Sequence, residues 1–134
     1  MIEIIRNVFL GDLHDAKKTT VNIVINLSET PLFDESGEVM YFNIPMLDSE
    51  DFPICNYFDY IYNLILIALE KNDKILISCK MGLSRSVTIY AMFLMRYLNI
   101  SHNKALELIE EAKEIAPNRG FVNQLKKYGI IDFK

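Results

Sequence analysis

A cysteine and an arginine separated by five residues form the most informative pattern in this chain. The stretch reads Ile77-Ser78-Cys79-Lys80-Met81-Gly82-Leu83-Ser84-Arg85-Ser86. The apolar run before Cys79 predicts a buried strand, and residues 87–98 predict a helix. A glycine-containing loop between a strand and a helix start can turn its amides inward and bind an anion.

The residue types in this loop are those that reaction with a phosphate ester requires. Loop amides, the helix start and a guanidinium all favour a charged sulfur, so Cys79 can act as a thiolate nucleophile. Arg85 offers a planar fork of donors that can hold the same anion. The pattern therefore indicates nucleophilic attack on phosphorus. The alternative for Cys79 is a structural cysteine buried in the core.

The remaining loop residues are expected to bind rather than to react. Backbone amides are the expected contribution of Lys80, Met81, Gly82, Leu83 and Ser84. Gly82 suits a positive φ or a close approach of phosphate. The side chains of Met81 and Leu83 either shape the rim of the site or pack. Ser86 either donates its hydroxyl to the departing Cys79 sulfur or forms a hydrogen bond within the first helical turn.

A general acid is also needed, because an alkoxide or phenoxide is a poor leaving group. The segment 44–51 offers three carboxylates, Asp48, Glu50 and Asp51, on a loop between a strand and a long helix. Asp51 can instead cap that helix, with Pro53 near its first turn. Glu50 is most simply a solvated charge.

The apolar patterns predict an α/β fold, with a small, largely parallel central sheet flanked by helices. The predicted strands are 2–5, 7–10, 21–27, 39–44 and 74–78, with Gly11 ending the second. Five helices are predicted, and the first three cover 13–18, 54–69 and 87–98. Asp12 is the expected cap of the first helix, and Ser101 is the expected cap of the fourth. The fifth helix covers 120–128 and follows Pro117-Asn118. At 134 residues, we expect a single domain over 1–134.

Composition narrows the classes of partner. The formal net charge is −4, so no global positive field would attract nucleic acid. No signal peptide or membrane-spanning run is evident, and a working thiolate needs a reducing compartment. We therefore expect a cytoplasmic or nuclear protein that needs no metal or other cofactor, with no membrane partner.

The second cysteine, Cys55, is expected to pack in the core, with a reversible disulfide to Cys79 as the alternative.

The motif Cys79-x5-Arg85-Ser86 resembles that of the cysteine-dependent protein phosphatases, and Gly82-x-Ser84-Arg85-Ser86 is closest to their dual-specificity branch. Further resemblances lie in the segments 7–12, 24–28 and 117–125, so the likeness covers nearly the whole chain. The resemblance implies a protein tyrosine phosphatase-like fold and a minimal catalytic domain. One position departs from the motif, because Ser78 replaces the histidine that usually precedes the cysteine.

The resemblance also implies roles for particular residues. The family's acid follows such a proline by a few residues, and this selects Asp48 over Asp51 as the general acid. Cys79 would form a phosphocysteine intermediate, and Arg85 would bind the phosphate. Since serine cannot become a cation, Ser78 is expected to weaken catalysis without abolishing it.

The leading hypothesis is a phosphatase of phosphotyrosine, and of phosphoserine and phosphothreonine, in proteins. A second hypothesis keeps the chemistry and changes the substrate to RNA 5′-phosphates or phosphoinositides. A third is a pseudophosphatase that binds phosphoprotein without turnover. The acidic balance argues against the second hypothesis.

Overall fold

A computed structural model describes residues 1–130 of the chain. Its centre is a five-stranded sheet in the order β1-β2-β5-β3-β4. The strands are β1 Ile2–Ile5, β2 Val8–Asp12, β3 Ile23–Asn26, β4 Met40–Asn43 and β5 Ile75–Cys79. β1 pairs antiparallel with β2, and the other three pairs are parallel, which confirms the predicted largely parallel sheet.

Helices cover both faces of this sheet. They are α1 Leu13–Lys18, α2 Phe58–Glu70, α3 Arg85–Leu98, α4 His102–Ala112 and α5 Arg119–Tyr128. No helix within residues 1–130 is long and apolar enough to cross a membrane. The last part of the predicted single domain, residues 131–134, lies outside the described residues.

The core has two layers of unequal size. The larger layer lies between the sheet and the helices α2 to α5, and it includes most of α3. The smaller layer lies under α1 and contains Ala16, Val21, Val24, Leu32 and Leu76. Alternate residues of β5 thus enter opposite layers, so this strand is buried along its whole length. That burial holds the Cys79 end of the strand in place.

Two strands differ in extent from the prediction. β2 does not end before Gly11, because its parallel pairing with β5 continues through Gly11 opposite Ser78 and Asp12 opposite Cys79. β3 is shorter than predicted and covers only Ile23–Asn26. The longer β2 brings the start of α1 beside the loop that follows Cys79, which a strand ending at residue 10 would not do.

The predicted helix caps are confirmed at two sites and wrong at a third. Asp12 Oδ1 accepts a hydrogen bond from the Asp15 amide at 2.8 Å, and Ser101 Oγ accepts one from the Lys104 amide at 3.2 Å. Asp51 caps nothing. The long helix instead begins with a 3₁₀ turn, Ile54–Tyr57, after Pro53 and without a side-chain cap.

Tyr90 ties α3 to the first hairpin. The β1–β2 register shifts between Glu3 and Ile5, and the Tyr90 hydroxyl accepts hydrogen bonds from the Ile4 and Ile5 amides at 3.2 and 3.1 Å. The same hydroxyl donates to the Val8 carbonyl at 2.7 Å. Burial raises the pKa of Tyr90 despite these amide donors, so the hydroxyl keeps the proton that this last bond requires.

We predict that Tyr90→Phe lowers the free energy of unfolding by about 1–3 kcal/mol, because it leaves buried backbone groups without partners. Urea unfolding followed by circular dichroism measures this change. Tyr60→Phe is the matched control, since Tyr60 is 53% exposed and should change stability little. Equal stability of the two variants would contradict the role assigned to Tyr90.

Candidate active site

The loop between β5 and α3 carries the cysteine and the arginine. Cys79 is the last residue of β5 and Arg85 is the first residue of α3, so the loop joins a strand to a helix as predicted. The Cys79 side chain is buried, and its Sγ lies 3.1 Å from Ser86 Oγ in the first turn of α3. This distance allows the Ser86 hydroxyl to donate a hydrogen bond to the sulfur.

Gly82 has a positive φ of 69°, which is one of the two alternatives that the sequence left open. A Cβ atom at this position would lie 3.1 Å from the Gly11 carbonyl oxygen. Two constraints therefore favour glycine here: the left-handed backbone, and the close packing of the loop against the turn between β2 and α1.

Backbone contacts from outside hold the loop in shape. The Leu13 amide donates to the Lys80 carbonyl at 3.3 Å, and the Ala116 amide donates to the Leu83 carbonyl at 2.8 Å. Both carbonyls are therefore engaged by residues outside the loop. Such an arrangement leaves amides free to point toward an anion.

Arg85 is a buried cation at the start of a helix. Its side chain donates from Nη1 to the Met46 carbonyl at 2.8 Å and lies 3.7 Å from Glu29 Oε1. Its Nε is buried and has no hydrogen-bond partner in the described part of the chain. Since the positive end of a helix disfavours a cation, this donor and its position suit a bound anion.

Asp48 lies beside the same loop. Its Oδ1 accepts hydrogen bonds from Ser84 Oγ at 2.7 Å and from Asn118 Nδ2 at 2.9 Å. The Asn118 amide in turn donates to Ser84 Oγ at 3.1 Å. Three segments distant in sequence thus meet at one carboxylate, whereas Asp51 is exposed and lies outside this network.

A cleft of about 210 Å³ brings the candidate residues together. It is lined by Asp48, Cys79, Met81, Leu83, Ser84, Arg85 and Ala116. Met81 is 64% exposed, so of the two sequence alternatives for this side chain the structure favours the rim. The cleft therefore brings together a thiol, a guanidinium and a carboxyl group. Among residues 1–130 no group of three or more His, Cys, Asp or Glu side chains could hold a metal ion.

Comparison with known families agrees with this geometry. The family model "Dual specificity phosphatase, catalytic domain" matches residues 8–131. The chain belongs to this family. Human dual specificity protein phosphatase 6 is 34% identical to it over 133 residues, or 92% of this chain and 35% of the human protein. Dual specificity protein phosphatase 1B of Arabidopsis thaliana is 29% identical over 94% of this chain and 80% of that protein.

Solved structures share the fold. Human DUSP28 superimposes with a TM-score of 0.88 at 24% identity, over 96% of this chain and 95% of that one. The human tyrosine phosphatase-like serine/threonine/tyrosine-interacting protein gives a TM-score of 0.87 at 24% identity, over 94% and 93% of the two chains. This chain spans 13% of Drosophila Slingshot and about a third of human dual specificity phosphatase 6, so it matches only one region of those relatives.

Ser78 is where the chain departs from the usual dual-specificity phosphatase motif. Its side chain is fully buried, and its Oγ has no hydrogen-bond partner among the described residues. It pairs in the sheet with Gly11 on one side and Asn26 on the other. The Ser78 side chain therefore makes no hydrogen bond within residues 1–130 that would orient the cysteine loop.

Several residues of the site escaped the sequence analysis. The sequence places Asn118 at a helix interruption and in the resembling segment 117–125, but assigns it no role. In the structure Asn118 caps α5, where its Oδ1 accepts from the Phe121 amide at 2.8 Å, and its Nδ2 donates to Asp48. Its cap role could have been found from its place before a helical pattern. No local sequence pattern indicates Glu29 or the Met46 carbonyl, because each belongs to the site only through its contact with Arg85.

The expectation for Cys55 was wrong. Cys55 is exposed in the 3₁₀ turn Ile54–Tyr57, and its amide donates to Gln124 Oε1 at 2.9 Å. The neighbouring Ile54 and Phe58 take the core positions instead. The helical spacing of apolar residues therefore predicted the buried positions on either side of Cys55 correctly, whereas Cys55 itself faces outward.

We predict that Gly82→Ala lowers kcat/KM for an aryl phosphate by about tenfold or more, because the added Cβ crowds the Gly11 backbone and displaces the loop. Steady-state kinetics and a melting curve measure the effect. Gly37→Ala is the matched control: Gly37 also has a positive φ, 74°, but a Cβ there meets nothing within 4 Å. Gly37→Ala should cost stability of about 1 kcal/mol and leave kcat/KM unchanged. Equal kinetic effects of the two variants would contradict the packing argument.

Proposed function

We propose that this chain hydrolyses phosphotyrosine, and phosphoserine and phosphothreonine, in proteins through a phosphocysteine on Cys79. The observation that supports this most directly is the single cleft lined by Cys79, Arg85 and Asp48. Membership of the dual-specificity phosphatase family supports the same reaction and a phosphoprotein substrate.

In the first step the Cys79 sulfur attacks phosphorus and the bond to the ester oxygen breaks. Asp48 gives a proton to that oxygen, so that a neutral alcohol or phenol leaves. Arg85 binds the oxygens of the transferring phosphoryl group, with its guanidinium held in place by the Met46 carbonyl and Glu29. Loop amides share the negative charge of those oxygens.

In the second step water attacks phosphorus and the sulfur leaves. Asp48, now a carboxylate, accepts a proton from the water. The departing sulfur carries negative charge, and Ser86 Oγ at 3.1 Å can donate a hydrogen bond to it. Inorganic phosphate is released, and the thiolate and the protonated Asp48 are restored for the next cycle.

The first functional prediction concerns Cys79. Turnover of p-nitrophenyl phosphate should persist in EDTA, and Cys79→Ser should reduce it by at least about a thousandfold, because a serine hydroxyl is not ionised at neutral pH. Binding of inorganic tungstate, measured by calorimetry, should remain in the variant. A wild-type protein that binds tungstate without turnover would instead be a pseudophosphatase, an outcome that the unpartnered Ser78 makes worth testing.

The second functional prediction separates Asp48 from Asp51. Asp48→Asn should lower kcat by about 100-fold or more with phenyl phosphate and much less with 2,4-dinitrophenyl phosphate, whose leaving group needs little protonation. The asparagine keeps an acceptor for Ser84 and Asn118, so the local structure should persist. Asp51→Asn is the matched control and should leave both rates unchanged. A dependence on leaving group in Asp51→Asn alone would transfer the acid role to Asp51.

Substrate class requires a separate comparison. Phosphotyrosine and phosphothreonine peptides, an RNA with a 5′-triphosphate and short-chain phosphoinositides can be compared by phosphate release at equal concentration. We expect the phosphotyrosine peptide to have the highest kcat/KM. A higher value for RNA or phosphoinositide would replace the protein substrate while leaving the chemistry unchanged.

A further inference from the structure

The connection between α4 and α5, residues 113–118, touches three consecutive residues of the cysteine loop. Its contacts are Lys113 Nζ with the Gly82 carbonyl, the Ala116 amide with the Leu83 carbonyl at 2.8 Å, and the Asn118 amide with Ser84 Oγ at 3.1 Å. Two of these bonds use backbone donors, which most substitutions would preserve. The contact from Lys113 is different, since it depends on one side chain.

The geometry of the peptide unit links the Lys113 contact to the direction of the Leu83 amide. In a trans peptide, the carbonyl of one residue and the amide of the next point in opposite directions. No cis peptide occurs in the described part of the chain. When Lys113 holds the Gly82 carbonyl outward, the Leu83 amide must therefore point to the opposite side, toward the cleft.

Gly82 is also the residue of the loop without a Cβ atom. Rotation of the peptide unit between Gly82 and Leu83 changes ψ of Gly82 and φ of Leu83, and the missing Cβ gives ψ of Gly82 a wider range than other residues have. An external bond to its carbonyl removes that freedom. A cation on the carbonyl also polarises the unit and makes its N–H a stronger donor.

The surroundings of Lys113 leave its ammonium available for this bond. The residue is half-buried at the end of α4, where its own amide donates to the Ile109 carbonyl at 3.0 Å. Within residues 1–130 it has no carboxylate within ion-pair distance. A cation at a helix end is also favourable for the helix itself, so the test must separate the two roles.

We propose that Lys113 is a positioning residue of the cysteine loop, which holds the Gly82–Leu83 peptide so that the Leu83 amide faces the bound anion. The proposal rests on the phosphate-binding role of this loop under the proposed function. It adds a residue from outside the motif, just after the end of α4, to the set that determines affinity for the phosphoryl group.

The test compares Lys113→Met with Lys113→Arg and with the control Lys104→Met. Lys104 lies in α4, which ends one residue before Lys113, and within residues 1–130 its ion pair is an exposed contact of 4.0 Å with Glu107. Calorimetry with inorganic tungstate should show about tenfold weaker binding in Lys113→Met, with kcat/KM for p-nitrophenyl phosphate falling in parallel. Lys113→Arg should bind within about threefold of wild type, because it keeps a charged donor. Lys104→Met should not change.

Salt concentration distinguishes a direct hydrogen bond from a long-range charge effect. Between about 0.1 M and about 1 M salt the Debye length falls from about 10 Å to about 3 Å. The ratio of tungstate affinities between wild type and Lys113→Met should persist at the higher concentration. A ratio that falls to one would show that Lys113 acts only through its field and would overturn the proposal.

Two further outcomes would also overturn it. Unchanged tungstate affinity in Lys113→Met, with or without a lower melting temperature, would leave Lys113 a purely structural role. If Lys113→Met does not fold, the shorter and neutral Lys113→Gln takes its place in the same comparison. Failure of the proposed function would look different, because the wild-type protein itself would then not hydrolyse the aryl phosphate, whether or not it binds tungstate.

Discussion

The buried guanidinium of Arg85 is the constraint on which the site depends. A cation at the first residue of a helix faces the positive end of the helix dipole and is costly to remove from water. The protein offsets this cost with the Met46 carbonyl at 2.8 Å and with Glu29 at 3.7 Å, and leaves Nε without a partner in the described structure. A phosphoryl group would complete the interactions of the guanidinium. Binding would therefore recover part of the free energy that burying Arg85 costs in the free protein.

The loop that carries Glu29 is itself built around a buried polar residue. Asn26 at the end of β3 is fully buried, and its Nδ2 donates to the Thr30 carbonyl and to Asn43 Oδ1, each at 2.8 Å. Its Oδ1 accepts from Ser28 Oγ at 2.7 Å. These bonds shape the turn after β3 on both sides of Glu29. The ends of three adjacent parallel strands, with the turn after β3, thus supply Cys79, the Glu29 partner of Arg85 and the Gly11 backbone under the cysteine loop.

The proposed acid and the proposed anion site are physically coupled. Ser84 belongs to the cysteine loop, Asp48 to the segment after β4, and Asn118 to the start of α5, yet they share one hydrogen-bond network. A shift of any one segment would therefore move the carboxylate relative to the sulfur. Because such positioning is established before substrate binds, little reorganisation is needed during the reaction.

Sequence by itself determined the types and the order of the elements and predicted the candidate residues of the loop, because both are local signals. The spacing of apolar residues predicted the strands and helices, and the residue types of Asp12 and Ser101 predicted two helix caps. The five-residue interval from Cys79 to Arg85 predicted an anion-binding loop between a strand and a helix. Tertiary structure decided which carboxylate lies in the cleft, since Asp48 is 36 residues from Ser84 and 70 from Asn118. It also decided the partners of Arg85 and the exposure of Cys55. Contacts at such separations arise only when the strands of the sheet are ordered and packed, and no local pattern of residues encodes them.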